Sequence, residues 1–495
     1  MFIRAIVLLL AGLLILSGSV LAQDAPPAAD EGMDAGAEEG AGEPLAESAD
    51  PIEKDPVEGE EEPGEGVEEA IRRVPTFEDT NPEYMGDEPP LFEDFIGLAQ
   101  DFVYRAALGP VSFGRVPVWP RGNLKLGPIL IFPYLDGRVG WTSNVYQDRS
   151  EVSSFFLAGG GGISVNYPFK QGRGKIFGGA DYQATTYPDE SLSYAEWTLS
   201  AGIGYRFDRG FWFRTGVRHS RTVDPQDPEE VGLQKRNQTY PFIDLGFDNA
   251  IVKDLNISMG FNVRTTWYVE EENETGDRDE YNAWIKASYP VYRDKTRGYL
   301  RYDHRWTVAG SDRINDSNGG ELSGGIEGII PLTESEKLVG MLSIGVRNTN
   351  FQTGNYDDNG SSFDTDDNDQ KAIVTMRALL RYLASAKTTV EIVYLRDMEY
   401  SSFSNYQVVD RFDLIGTHSM YRDLVLRAAT YVRFSEPSAV RDSVTEFGAG
   451  CGARYILIDN IDLDLSVDWY TRQSGNDLYS YDRVTAALGL TLYFR

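Results

Sequence analysis

The 495-residue chain carries a formal net charge of −31, with 46 Lys and Arg against 77 Asp and Glu. That balance argues against a polyanionic partner, so nucleic-acid binding is not expected. The single cysteine, Cys451, excludes a disulfide framework and a thiolate metal cluster and reads as a small strand residue.

Residues 1–22 read as a secretory signal. Arg4 supplies the positive start, Ile6 to Ile15 the apolar core, and Ser19-Val20-Leu21-Ala22 the small residues before cleavage. No later apolar run reaches the roughly 18 residues of a membrane helix. Residues 23–90 are low-complexity, built from Asp, Glu, Ala, Gly and Pro. They are expected to be a disordered acidic linker, because they bury too little apolar surface to offset ordering entropy. Leu91, Phe95, Leu98, Phe102 and Ala106 recur at helical spacing. They predict a short amphipathic helix over 91–108, packed on or in the barrel mouth. A connector marked by Pro110, Pro117 and Pro120 follows to 125.

From about Leu126 the period changes to two, and the barrel is expected over 126–495. Trp197, Leu199, Ala201, Ile203, Tyr205 and Phe207 alternate with Thr198, Ser200, Gly202, Gly204 and Arg206. Leu300, Tyr302, Trp306 and Val308 alternate with Arg301, Asp303 and Arg305. Ile461, Leu463, Leu465, Val467 and Trp469 alternate with Asp462, Asp464, Ser466, Asp468 and Tyr470. Such alternation suits a soluble sandwich or a membrane barrel equally. Three further features favour the barrel. The segments run about 12 to 16 residues, against about 5 or 6 for ordinary strands. Tight connections (Asp208-Arg209, Asp294-Lys295, Glu334-Ser335, Tyr421-Arg422) alternate with long polar ones (224–230, 270–280, 310–318, 352–369). Aromatics crowd the strand ends, as in Phe211-Trp212-Phe213, Trp267-Tyr268 and Tyr493-Phe494. The fold class expected is all-β: a transmembrane antiparallel up-and-down barrel of about eighteen strands, with nine long loops and eight short turns. Pro133, Pro241 and Pro290 fall inside strands and call for bulges or strand ends. Val390 to Leu395 is apolar on both faces apart from Glu391.

Gly140-Trp141-Thr142-Ser143-Asn144-Val145-Tyr146, after the strand GPILIFPYLDGRV, resembles the opening of the putative β-barrel porin 2 family. There a strand leads into a Gly-aromatic-Asp-x-Asn-Val-aromatic turn, with Thr142 here in place of the Asp. The ending, Tyr481-Asp482-Arg483 and then Leu488-Gly489-Leu490, is similar to that family's. The resemblance covers about 125–495 and implies an outer-membrane barrel of porin type. It implies no catalytic or binding residues.

The final segment alternates Val484, Ala486, Leu488, Leu490, Leu492 and Phe494 with Arg483, Thr485, Ala487, Gly489, Thr491 and Tyr493. The leucines are expected to face lipid, and Gly489 and Thr491 the lumen. Gly489, Leu492 and Phe494 resemble the terminal signal by which outer-membrane barrels are recognised for insertion, although Arg495 follows the aromatic.

The three histidines, His219, His304 and His418, form no HExxH spacing, and no G-x-S-x-G elbow occurs. A Ser-His-carboxylate set assembled across strands is not excluded by spacing, but His304 shares the apolar row with Tyr302 and Trp306 and is expected to face lipid. No enzyme and no cofactor are expected. The acidic loops, Glu270-Glu271-Glu272, Asp277 to Glu280 and Asp357 to Asp369, suit divalent cations. Asn355, Asp357, Asn359, Gly360 and Asp366 match a Ca²⁺ loop poorly, so no dedicated metal site is expected. The candidate pore-lining residues are Arg206, Arg214, Arg218, Arg301, Asp303, Arg305, Arg377, Arg381, Arg427, Arg433, Asp462, Asp464 and Asp468. Such rows set ion preference or, alternatively, pair across strands as struts. The function expected is a porin-like channel for passive diffusion of small hydrophilic solutes, with outer-membrane lipid and the barrel-assembly machinery as partners. The alternative is a plugged or non-conducting barrel with a structural or polysaccharide-export accessory role.

Overall fold

A strand presents unlike faces and two backbone edges, and both edges need partners. The computed structural model of the chain describes residues 124–494 apart from 150, 191, 209, 224–234, 250–251, 270–275, 293–294, 311–315, 331–336, 352–369, 386, 400–405, 422, 439–442, 459 and 476–479. The expected signal, acidic linker and helix all lie outside the described residues, as do the acidic stretches 270–275 and 352–369.

The strands are β1 (Leu124–Leu126), β2 (Ile129–Thr142), β3 (Ser154–Phe169), β4 (Gly174–Tyr187), β5 (Leu192–Arg206), β6 (Phe211–Thr222), β7 (Arg236–Phe247), β8 (Asn256–Tyr268), β9 (Arg278–Tyr292) and β10 (Thr296–Ala309). They continue with β11 (Ser317–Ile329), β12 (Leu338–Phe351), β13 (Gln370–Ser385), β14 (Thr388–Glu399), β15 (Gln407–Tyr421), β16 (Leu424–Pro437), β17 (Val444–Ile458), β18 (Ile461–Ser474) and β19 (Tyr481–Tyr493). From β2 onward each pairs antiparallel with the next, and β19 pairs back onto β2 from Thr485 opposite Thr142 to Tyr493 opposite Tyr134. The result is a closed barrel of eighteen long strands. The short β1 folds back on the start of β2. The described residues contain no α-helix.

The eight turns from 170–173 to 459–460 that follow odd-numbered strands leave one end of the barrel, the short-turn end, and nine connections, most of them longer, leave the other, the long-loop end. The strand β2 starts and β19 ends at the short-turn end. The turn 330–337 is wider than the tight one expected at Glu334-Ser335, and Ile330 N donates to Leu338 O across its base at 2.8 Å. The acidic loop expected to reach Glu280 is shorter. Residues 278–280 already belong to β9, with Arg278 buried and Glu280 bound to it at 2.7 Å, because Arg278 and Arg264 both supply a charge partner inside the wall.

Burial runs opposite to a soluble sheet. Leu135, Leu199, Leu300, Val346, Leu465 and Leu488 are exposed, while Asp303, Glu321, Arg454, Asp462 and Thr491 are buried. In a barrel this places the apolar rows outward and the charged rows inward. The final strand follows the expected faces: Leu488 and Leu490 are exposed on the outward row, whereas Thr491 is fully buried on the inward one. The inward surface is not polar throughout. Val393 and Leu379 pack together against Met341, which accounts for the two apolar faces read in 390–395.

Two aromatic belts bound the outward apolar band. Near the long-loop end, Trp197 meets His219 at 4.7 Å, His219 meets Trp267 at 5.5 Å, and Tyr281 stacks on Trp306 at 5.3 Å. Near the short-turn end, Phe169, Tyr205, Phe207, Phe211 and Phe247 form a continuous run. Trp197 to Tyr205 on one row of β5 spans about 20 Å at about 3.3 Å per residue and about 40° of tilt, close to the height of a membrane band. Not every terminal aromatic belongs to these belts. Trp212, Tyr268 and Tyr493 point inward, because neighbours in a strand face opposite ways.

The prolines sit where the ladders can lose a donor. Pairing of β19 with β2 stops at Tyr134, one residue short of Pro133. The β7–β8 ladder skips Tyr240 and Pro241. Pro290 adjoins the β9–β10 bulge, where Val291 is left without an opposite residue. The seam between first and last strands is reinforced beyond its ladder. Ser143 N donates to Val484 O at 2.9 Å, and Val484 N donates to Ser143 Oγ at 2.8 Å. Asn144 Nδ2 donates to Asp148 O at 2.6 Å and to Asp482 O at 3.2 Å.

Arginine at Leu488, mid-height on the outward row, should cost about 2–4 kcal/mol in lipid. Ser164→Arg, on the half-buried inward row of β3, should be tolerated. Folded, heat-modifiable protein in outer-membrane fractions should fall sharply for Leu488→Arg and stay near wild type for Ser164→Arg; equal loss in both would refute the assigned faces.

Candidate functional site in the barrel lumen

Alternation puts every second residue of each long strand into the lumen, and the register decides which of these meet. All thirteen candidate pore-lining residues lie on inward rows. The densest group spans five consecutive strands, β10 to β14. Asp303 lies opposite Glu321, and Glu321 opposite Arg347. Arg377, on β13, reaches two carboxylates at once. Its Nη1 and Nη2 donate to the two Glu321 oxygens at 2.7 and 2.9 Å, and Nη2 also donates to Asp397 Oδ2 at 2.9 Å. Arg347 Nη1 donates to Asp397 Oδ1 at 3.1 Å, and Thr375 Oγ1 to Glu321 Oε1 at 3.0 Å. Arg305 stands 3.9 Å from Glu321 and 3.8 Å from Asp397. Arg301 forks onto Asp303, with both contacts at 2.7 Å, and stacks its guanidinium over Trp284.

The other candidates divide among smaller pairs. Arg206 binds Asp248 at 2.5 Å, Arg214 binds Asp244 at 2.9 Å, and Arg381 binds Glu391 at 2.6 Å. Arg433 binds Glu399 at 2.8 Å. Arg218 and Arg427 lie on the inward rows of β6 and β16, apart from the five-strand group. Asp462, Asp464 and Asp468 form a row along β18. Asp462 accepts from Tyr493 Oη at 3.1 Å and lies 3.8 Å from Arg454 Nε. Asp464 sits over Gly489, where a Cβ would come within 2.7 Å of both carboxylate oxygens. That close approach gives Gly489 a packing reason to lack a side chain. Leu492 and Phe494, its partners in the expected insertion signal, lie on the outward row.

Sequence reasoning missed several partners. Glu321, Asp397 and Arg347 complete the five-strand group, Lys286 binds Glu327 at 2.6 Å, and Arg411 binds Asp413 at 2.8 Å. Each falls on the inward parity of its strand, a signal that was available wherever a strand's apolar row was clear. In the Gly-rich β11 that row is weak.

The histidines all point outward. His304 lies between Tyr302 and Trp306, as expected, and His418 Nδ1 contacts Thr388 Oγ1 at 2.8 Å. Among the described residues, no group of three His, Cys, Asp or Glu side chains is placed to hold a metal ion.

A family model described as "Putative beta-barrel porin 2" matches residues 117–494. No curated protein matches the chain significantly. Solved structures that match include a BenF-like porin from Pseudomonas fluorescens Pf-5, at 9% identity and a TM-score of 0.43, covering 74% of this chain and 100% of that one. They also include OccAB3 of Acinetobacter baumannii, at 11% identity and a TM-score of 0.41, covering 73% of this chain and 98% of that one. OpdK of Pseudomonas aeruginosa matches at 10% identity and a TM-score of 0.40, covering 73% and 99%.

Removing one member of a buried ion pair leaves the other charge uncompensated, at about 3–5 kcal/mol. Arg377→Ala strands Glu321, which is 1% exposed, and loosens Asp397. Its free energy of unfolding in urea should fall by that amount and its midpoint shift down accordingly, while the double variant Arg377→Met/Glu321→Gln should recover much of the loss. Equal stability of Arg377→Ala and wild type would refute the paired geometry.

Proposed function

The chain belongs to the beta-barrel porin 2 family of outer-membrane proteins, and on that premise we propose that its barrel is a passive diffusion channel for small hydrophilic solutes. The observation that carries the reading is the charged inward row of a closed eighteen-stranded wall. A barrel of that strand number is wide enough for an aqueous channel. Hydrophilic inner rows keep water in such a channel, and they favour diffusion over a purely structural role. The thirteen candidate residues then act as pore lining, and their ion pairs also brace the wall.

No enzymatic step belongs to this reading. The histidines sit among outward aromatic rings and threonines, away from the solute path. Gly489, Leu492 and Phe494 would present the last strand to the assembly machinery, and the acidic loops would attract divalent cations at the outer mouth.

Purified protein reconstituted into planar bilayers should produce stepwise current increments of uniform size. Vesicles carrying it should swell in isotonic solutions of small sugars. Silent bilayers from protein that remains heat-modifiable would refute the channel.

A further inference from the structure

We propose that this channel is anion-selective, passing small carboxylates and phosphates ahead of cations of equal size. The inference deepens the diffusion reading and rests on it. The whole chain is acidic, 77 Asp and Glu against 46 Lys and Arg, so a basic lumen is not a reflection of composition. Yet the inward rows of β6, β8, β12, β13 and β16 carry arginine or lysine with no carboxylate, whereas only β11 and β14 carry the reverse.

Depth matters as much as number. In most of the described lumen pairs the carboxylate is less exposed than its cation. Arg214 is 41% exposed against 12% for Asp244, and Arg305 is 35% exposed against 1% for Glu321. Arg206 with Asp248 and Arg301 with Asp303 show the same order. Toward the long-loop mouth the order reverses, with Glu280 and Glu399 more exposed than Arg278 and Arg433, as it does for Arg173 and Asp208 in the turns at the other end. A solute in the lumen therefore meets guanidinium edges first.

Arg305 is the clearest case. Glu321 and Asp397 are already held at hydrogen-bonding distance by Arg377, and Asp397 by Arg347 as well, so Arg305 is the third cation facing two carboxylates. The β18 row opposes this charge, with Asp462, Asp464 and Asp468 against Arg472, but all three carboxylates are buried. Fixed charge along a pore raises the local concentration of the opposite ion, and guanidinium forks match carboxylate and phosphate oxygens.

The test is the zero-current potential of the reconstituted full-length protein across a KCl gradient. Wild type should reverse on the chloride side. Arg305→Glu, checked for folding by heat-modifiability, should move the reversal toward potassium, and Arg214→Glu should do the same from the other end of the barrel. A conducting wild type that reverses at zero or on the potassium side overturns the selectivity and leaves the diffusion reading standing. Folded protein that conducts nothing overturns both.

Discussion

Hydrocarbon offers no hydrogen-bond partner to a peptide group, so a strand that crosses a bilayer must have both edges occupied. Everything else in this barrel follows from that demand. The long strands need a ring, the ring needs the last strand to find the first, and a ring of strands has one face toward lipid and one toward itself. Proline, which withholds a donor, is therefore confined to places where the ladder ends, skips or bulges. The same demand explains the belts of Trp, Tyr and Phe. They mark the two levels at which water returns and irregular backbone becomes affordable.

The inward face solves a different problem. Many of its charged groups are buried against the wall, away from water, and isolated charges there would be costly. Pairing across neighbouring strands answers this. Arg377 spans the β11–β14 wall because its planar fork can serve two carboxylates at once, which a lysine could not do with the same geometry. The network thus ties four strands together from inside while the backbone ladders tie them edge to edge. Short carboxylates stay near the wall and long guanidiniums extend from it, so mechanical bracing and the sign of the lumen field come from the same contacts.

Much of the architecture was legible in the sequence. A two-residue period repeated over long segments, with connections alternating in length, carries strand number, closure and facing, and the outward placement of His304 followed from its row. The expected faces of Leu488, Leu490 and Gly489 followed in the same way. What could not be read was pairing between distant residues. Nothing local in β13 says that Arg377 will meet Glu321, because that contact depends on the stagger of β11, β12 and β13 together. Glu280 was placed in a loop because a charge run looks like solvent-facing sequence, whereas Arg264 and Arg278 make it a wall residue. Trp212 and Tyr268 were grouped with the belts by proximity in sequence, and parity turns them inward. The match of residues 117–494 to the porin 2 family agrees with the resemblance read from the Gly140–Tyr146 segment.

That segment also bears on how the chain folds. Every other pairing of long strands joins neighbours in sequence, through connections that range from two residues to the stretch 352–369. Such hairpins close small loops and can form early. The seam alone joins residues 338 positions apart, through Asn144 and Asp482, and its loop-closure entropy is the largest in the barrel. It cannot begin until β19 has been synthesised and delivered. The kinetics are therefore divided unevenly: many fast, local steps and one slow, global one. Until that last step the growing sheet has two open edges, each a template for pairing with another chain. Asn144, Ser143 and Thr142 stand where the open edge is retired, and their hydrogen bonds to the final strand hold the barrel against reopening along the one line where it was ever open.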